Sequence, residues 1–220
     1  QVDCRGKFKE GLGYTTHQQV VRQMSAKSLH FRLVDLLESD GKSRILEEIK
    51  NFSSEYKNGL KNDDVESFLK KKALNFSRQN LSVTYLVLRE DDLGLQGYFS
   101  LAVKPIAIPA KFVESSNTTK KKWSKFASFD SSRNVYVASA YLIAQLGKNY
   151  SDKVAHPLKG EYLVNICMGV VKECQHIVGG GIVFLECENQ PELIKFYREN
   201  GFVEFDVSEK NNLVQMAQRI

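Results

Sequence analysis

The chain has 220 residues, 42% apolar and 26% charged, which is the balance of an ordinary globular protein and enough chain for a sizeable core. Four prolines and 14 glycines exclude collagen-like and low-complexity architectures, and no run approaches the roughly 18–20 apolar residues of a membrane-spanning helix. Thirty-one cations against 26 acids leave a net charge of +5, and residues 104–135 alone hold seven of those cations against two acids.

The opening QVDCRGKFKEGLG lacks the apolar run of a secretory signal, and residues 1–23 carry no hydrophobic period. Met24 reads like a natural start, so the expectation is a dispensable extension over 1–23 and a single cytoplasmic domain over 24–220. Cys4, Cys167, Cys174 and Cys187 form no C-x-x-C pair, and no histidine lies at zinc-site spacing, so neither disulfide nor metal is expected.

Residues 43–50 have helical spacing with Ser43 as a candidate N-cap. Asn62-Asp63-Asp64 then precedes a second helix, with Val65, Phe68, Leu69 and Ala73 on one face and an acidic first turn. The period changes at 82–88 (SVTYLVL) and 97–103 (GYFSLAV), strands joined by the turn residues Glu90 to Gly94 into an antiparallel hairpin. Residues 104–135 read as a basic connection with a helix around 110–126. A long strand follows at 135–146, apolar on both faces in its second half, as central strands are. Helical spacing returns over 160–175, Gly179-Gly180-Gly181 ends it, and 182–187 (IVFLEC) form a buried strand. Pro191 to Asn200 is a short helix with proline in its first turn and Gly201 as its cap, and FVEFDV and NLVQMAQ close the chain as strands. The result is a mixed α/β domain without internal repeats.

Strand 135–146, helix 160–175 and strand 182–187 make a βαβ unit, which presents a helix N-terminus to the mouth of the sheet. Unpaired N–H groups and the helix dipole hold phosphate there. Gly160 lies at that terminus, where a glycine permits close approach, and Lys159 adds a charge. The run Lys120-Lys121-Lys122 with Lys125 creates a positive field suited to RNA or a phosphorylated cofactor, or else a solvated helix face. Trp123 beside it stacks on a base or packs the connecting helix onto the domain. The triple glycine precedes a strand and lacks Lys-Ser/Thr, so it is no P-loop.

FLECENQPELIKFYRENGFVEF resembles the closing motif of the GNAT superfamily of acyl-CoA-dependent N-acyltransferases: a strand ending in an Asn-bearing turn (Asn189 or Gln190), a helix carrying Phe196-Tyr197, and Gly201-Phe202. AYLIAQLGKNY resembles the strand that lines the acyl-CoA cleft. DVESFLKKKA, TYLVL and GYFSLAV resemble the front half of the toxin-type branch, some of whose members acetylate aminoacyl-tRNA. The likeness covers about residues 28–216. It implies an α+β mixed sheet with a V-shaped split, and acetyl-CoA as the cofactor. It also implies that Ala144, Gln145 and Leu146 hold the acyl and pantetheine arm, and that the stretch containing His156, Leu158, Lys159, Gly160 and Glu161 cradles the pyrophosphate, with Asn189 nearby. AHPLKG departs from the family's Gln/Arg-x-x-Gly-x-Gly/Ala, keeping only Gly160, with Ala155 and Leu158 at the other positions; His156, Lys159 or Lys153 could supply the missing cation. Tyr197 is the implied general acid, since a phenol of pKa about 10 stays protonated near neutrality and can protonate a departing thiolate.

The cleft strand contains no Asp, Glu or His, so no base is evident, which suits either an acceptor of low pKa such as the α-amine of an aminoacyl-tRNA or a water relay. The lysines at 120–122 and 125 offer the RNA contact, and the toxin-type resemblance implies an antitoxin as partner. Competing readings are a small-molecule or protein amine acetyltransferase, and a non-catalytic nucleic-acid-binding domain on a degenerate acyltransferase fold.

Overall fold

The computed structural model describes residues 28–55, 61–151 and 158–220. The extension 1–23 lies outside these residues, as do Lys153, Ala155 and His156. No described helix is long and apolar enough to cross a membrane.

Among the described residues eight strands build one sheet: β1 (Ser28–Arg32), β2 (Val83–Arg89), β3 (Leu95–Pro109), β4 (Ser128–Asp130), β5 (Val135–Lys148), β6 (Ile182–Cys187), β7 (Val203–Val207) and β8 (Val214–Arg219). Their order is β1-β2-β3-β5-β6-β8-β7, with β4 laid against β5 outside that path. The expected hairpin is β2–β3, turning through Asp92, whose carboxylate accepts from Gly94 N–H at 2.9 Å. β3 continues to Pro109, six residues beyond the strand expected to end at Val103. Lys104-Pro105 looks like a terminator, yet β2 pairs with β3 only as far as Leu101, so beyond it β3 carries an open edge where proline is tolerated.

Before β2 come α1 (Leu33–Glu38), α2 (Lys42–Asn51), α3 (Asp63–Ser67), a π-helical turn (Phe68–Lys72) and α4 (Ala73–Arg78). Gly41, not Ser43, occupies the N-cap of α2. Asn62 caps α3, its Oδ1 accepting from Val65 N–H at 3.1 Å. The single helix expected around 110–126 is two short ones, α5 (Ala110–Val113) and α6 (Asn117–Trp123), because Ser116 starts a new cap by accepting from Thr119 N–H. Then follow α7 (Gly160–Val178) and α8 (Pro191–Glu199), with Gly201 at φ +88° after α8.

One face of the sheet buries Phe99, Ile143, Leu163, Cys167 and Phe202 beneath α7 and α8. The other buries Leu33, Phe52, Leu69 and Tyr98 beneath α1–α4. A third cluster at the far end holds Ile108, Tyr136, Ile182 and Trp123, whose ring meets Phe112 edge-on at 5.4 Å, so Trp123 packs its helix and is not free to stack on a base. Cys167, Cys174 and Cys187 are free thiols, and no metal-ligand cluster occurs among the described residues.

Candidate active site

β5 and β6 run parallel but share register only at Tyr141↔Val183 and Leu142↔Phe184. β5 nevertheless continues to Lys148, and β6 stays on β8 as far as Cys187↔Val214. The separation begins at a bulge: Leu101 of β3 faces Ile143 and Ser100 faces Gln145, leaving Ala144 as the extra residue. An inserted residue bends its strand and tightens the local twist, and past it the two parallel strands part into a wedge.

The bulge also reverses which side chains face which layer. Strict alternation from Tyr141 and Ile143 would place Gln145 toward α7. Instead Leu146 packs there, while the Gln145 amide donates to Asp64 Oδ2 of α3 at 3.0 Å. A cleft of about 570 Å³ follows the freed edge of β5. Leu146, Gly147 and Lys148 form its floor, and Lys61, Asn62 and Val65 stand on one side. Gly160, Leu193, Phe196 and Tyr197 form the other side, and Tyr150, Glu188 and Glu192 its rim. Gly147 is what lets α3 in, since a β-carbon there would lie 2.4 Å from Val65 Cγ1.

Tyr197 is only 8% exposed, its ring meeting Phe196 at 5.1 Å and Phe202 at 5.9 Å between centroids. Among the described residues nothing hydrogen-bonds its hydroxyl, and the residue lines the cleft. Burial, with smaller contributions from Cys187 and Cys167, pushes the phenol well above its ordinary value. It is therefore a protonated donor at any physiological pH. Lys148, half-buried, has its ammonium pushed below the usual lysine value by desolvation and held 4.9 Å over the Tyr150 ring. At α7, Lys159 is the N-cap but makes no capping bond with its side chain, and among the described residues nothing accepts from the first amides, Gly160 and Glu161, the kind of donors that suit an anion.

Tyr197, Leu146 and Gly160 thus meet in one cleft, whereas several other expected residues do not line it. Ala144 is the bulge residue and Gln145 faces α3. Leu158 is buried in the core under α7 because its side chain is apolar and the chain enters the helix there. Lys159 and Glu161 point outward, 3.9 Å apart. Asn189 is exposed, with Glu188 and Gln190 beside it on the rim instead. Lys120, Lys121, Lys122 and Lys125 are exposed at the opposite end of β5, Lys120 paired with Glu114 at 2.8 Å. Lys148 and Phe196 were missed as cleft residues. The spacing of Lys148 from Tyr141 would have signalled its face only with the bulge known.

No protein-family model matches the chain, and no curated protein does. Solved structures share its architecture. A bacterial toxin superposes with a TM-score of 0.61 at 14% identity, over 88% of this chain and 90% of its own. AtaT complexed with acetyl-methionyl-tRNAfMet gives 0.58 at 17% identity, over 86% and 93%. A tyrosine-to-phenylalanine mutant of the AtaT toxin, bound to the C-terminus of the antitoxin AtaR and acetyl-CoA, gives 0.56 at 17%, over 87% and 92%. The fold is that of the GNAT toxins. Within this GNAT fold the split between β5 and β6 is the expected V, and its wedge is the cleft that Tyr197 lines.

Proposed function

We propose that the chain is an acetyl-CoA-dependent N-acetyltransferase that moves the acetyl group to a primary amine by direct attack, its acceptor the α-amine of an aminoacyl-tRNA. The observation that carries the reading is Tyr197: a buried, protonated phenol without a hydrogen-bond partner among the described residues, on the wall of the wedge left by the parting of β5 and β6. The solved neighbours named for acetyl-CoA and acetyl-methionyl-tRNA support it. An antitoxin-type protein is the corresponding partner.

The cleft fits a thioester on a long arm ending in phosphates. Leu146, Leu193 and Phe196 supply apolar walls, and Gly160 supplies a close approach to the first amides of α7. Lys148 adds a positive charge already partly stripped of water, which gains from an anionic neighbour.

In the reaction the neutral amine forms a C–N bond to the thioester carbonyl, whose π electrons move to oxygen. Collapse restores the carbonyl and breaks the C–S bond, and Tyr197 delivers its proton to the departing sulfur. Solvent removes the extra proton on nitrogen and reprotonates Tyr197. An α-amine next to an ester carbonyl is less basic than a lysine amine, so water suffices as the proton acceptor.

Calorimetry with acetyl-CoA tests the enzyme reading: micromolar binding is expected, and none at millimolar cofactor sinks it in favour of a non-catalytic domain. Incubation with labelled acetyl-CoA tests the acceptor. Label on charged tRNA is expected, and label only on free amines or proteins overturns the tRNA assignment.

A further inference from the structure

A second recess lies along β5, on the other side of the Tyr141–Leu142 pairing from the cleft. Pro105 faces Ser139 across the β3–β5 ladder. Proline has no N–H, so this pair sits at a non-hydrogen-bonded position of the antiparallel ladder. Ser139 therefore turns its own N–H and C=O away from β3, toward the other edge of β5. That edge is paired with β4 as far as Val137 and with β6 from Tyr141. Ser139 stands in the gap with a backbone donor and acceptor side by side and no described strand to take them.

The gap opens into a groove of about 470 Å³, walled by Pro105, Phe126, Ser128, Gly180 and Gly181. Phe126 lies so close to the Gly181 backbone that a β-carbon there would be 2.4 Å from its ring, and it remains 36% exposed. Phe129, 51% exposed, belongs to β4, next to Ser128 of the groove wall. Lys125 adjoins Phe126, and Lys121 and Lys122 are exposed on α6 just before it; among the described residues none of the three enters an ion pair.

We propose that this groove binds an unpaired nucleobase of RNA, stacked against Phe126 and read at its edge by the Ser139 backbone. Bases present neighbouring donors and acceptors along their edges, and exposed aromatics beside lysines are the usual platform for single strands. An acidic peptide would also meet the charge. A strand added to β5, however, would have to run through the gap, and the four-residue step from Val137 to Tyr141 spans only about 13 Å before β4 and β6 block it. A flat ring needs no such passage. The site rests on the reading of this face as the RNA contact, and its test separates the two.

The test measures binding of the full chain to a hairpin RNA with a short unpaired 3′ end and to the same hairpin made blunt. Phe126→Ala, and Phe126→Leu, which keeps an apolar side chain but no flat ring, should each weaken the unpaired-end hairpin about tenfold to hundredfold and leave the blunt one unchanged. Replacing Lys121, Lys122 and Lys125 together by Gln should weaken both. If only the lysine replacement matters, the base site is overturned and the RNA contact stands. If neither matters, both fall. If polyglutamate binds in a Phe126-dependent way and the hairpins do not, the groove takes a peptide and the proposal is wrong.

Discussion

Gly160 and Phe196 lie so close that a side chain at residue 160 requires the ring to give way: a β-carbon there would lie 3.1 Å from Phe196 Cε2 and 3.2 Å from Cζ. This contact joins the N-terminus of α7 to α8, the helix that carries Tyr197. Gly160→Val should wedge the two apart. Overpacking of this kind costs about 1–3 kcal/mol of stability, so the melting temperature should fall, with Gly160→Ala intermediate, and acetyl-CoA affinity measured by calorimetry should fall as the N-terminus of α7 is displaced.

Tyr197→Phe removes the proton donor and keeps the ring that packs on Phe196 and Phe202. Turnover should drop about 10²–10⁴-fold, while calorimetric affinity for acetyl-CoA stays nearly the same. An unaltered rate would remove Tyr197 from the mechanism.

On the acetyltransferase reading, Lys148 should make acetyl-CoA binding depend on pH. Desolvation lowers its folded-state pKa below the ordinary lysine value, and a bound phosphate raises it again. Protonation and binding therefore assist each other, and affinity should decline as the pH rises through the lowered value. Lys148→Met should bind more weakly at neutral pH and show a flatter alkaline decline in the same titration.

Glu66 ties the cleft's α3 wall to the preceding loop. Its carboxylate accepts from Ser54 N–H at 3.2 Å and from Lys70 Nζ at 2.7 Å, with Lys61 3.6 Å away. Burial alone would push the carboxyl up, but these bonds and charges prevail and hold it below its usual value. Because the folded pKa lies below the unfolded one, the stabilisation is present above the ordinary glutamate range, about 4.3, and is lost as the pH falls through the lowered value. Thermal melts taken downward from neutrality should show a steeper acid loss for the native chain than for Glu66→Gln.

Helix and strand positions were legible where side-chain period and punctuation agree. Pro191 and Gly201 bracket α8 as expected, and Asn62 caps α3. The Phe196-Tyr197 and Gly201-Phe202 pairs marked the helix on the cleft wall. Positions set by distant pairing were not legible: the extension of β3 past Pro105 depends on β5. The split of the connecting helix, by contrast, rests on a local cap at Ser116 that its spacing from Thr119 could have signalled.

Period, charge and capping are local properties, so the order of residues alone specified the alternation of strands and helices, the concentration of charge in 104–135, and Tyr197 as a phenol on an amphipathic helix. Which β5 side chains meet the cleft was settled by the folded sheet. A single unpaired residue, Ala144, shifts the alternation, turns Gln145 to α3 and brings Leu146 and Lys148 to the wedge. That shift exists only in the mismatch between two strands, and no single strand's residues record it.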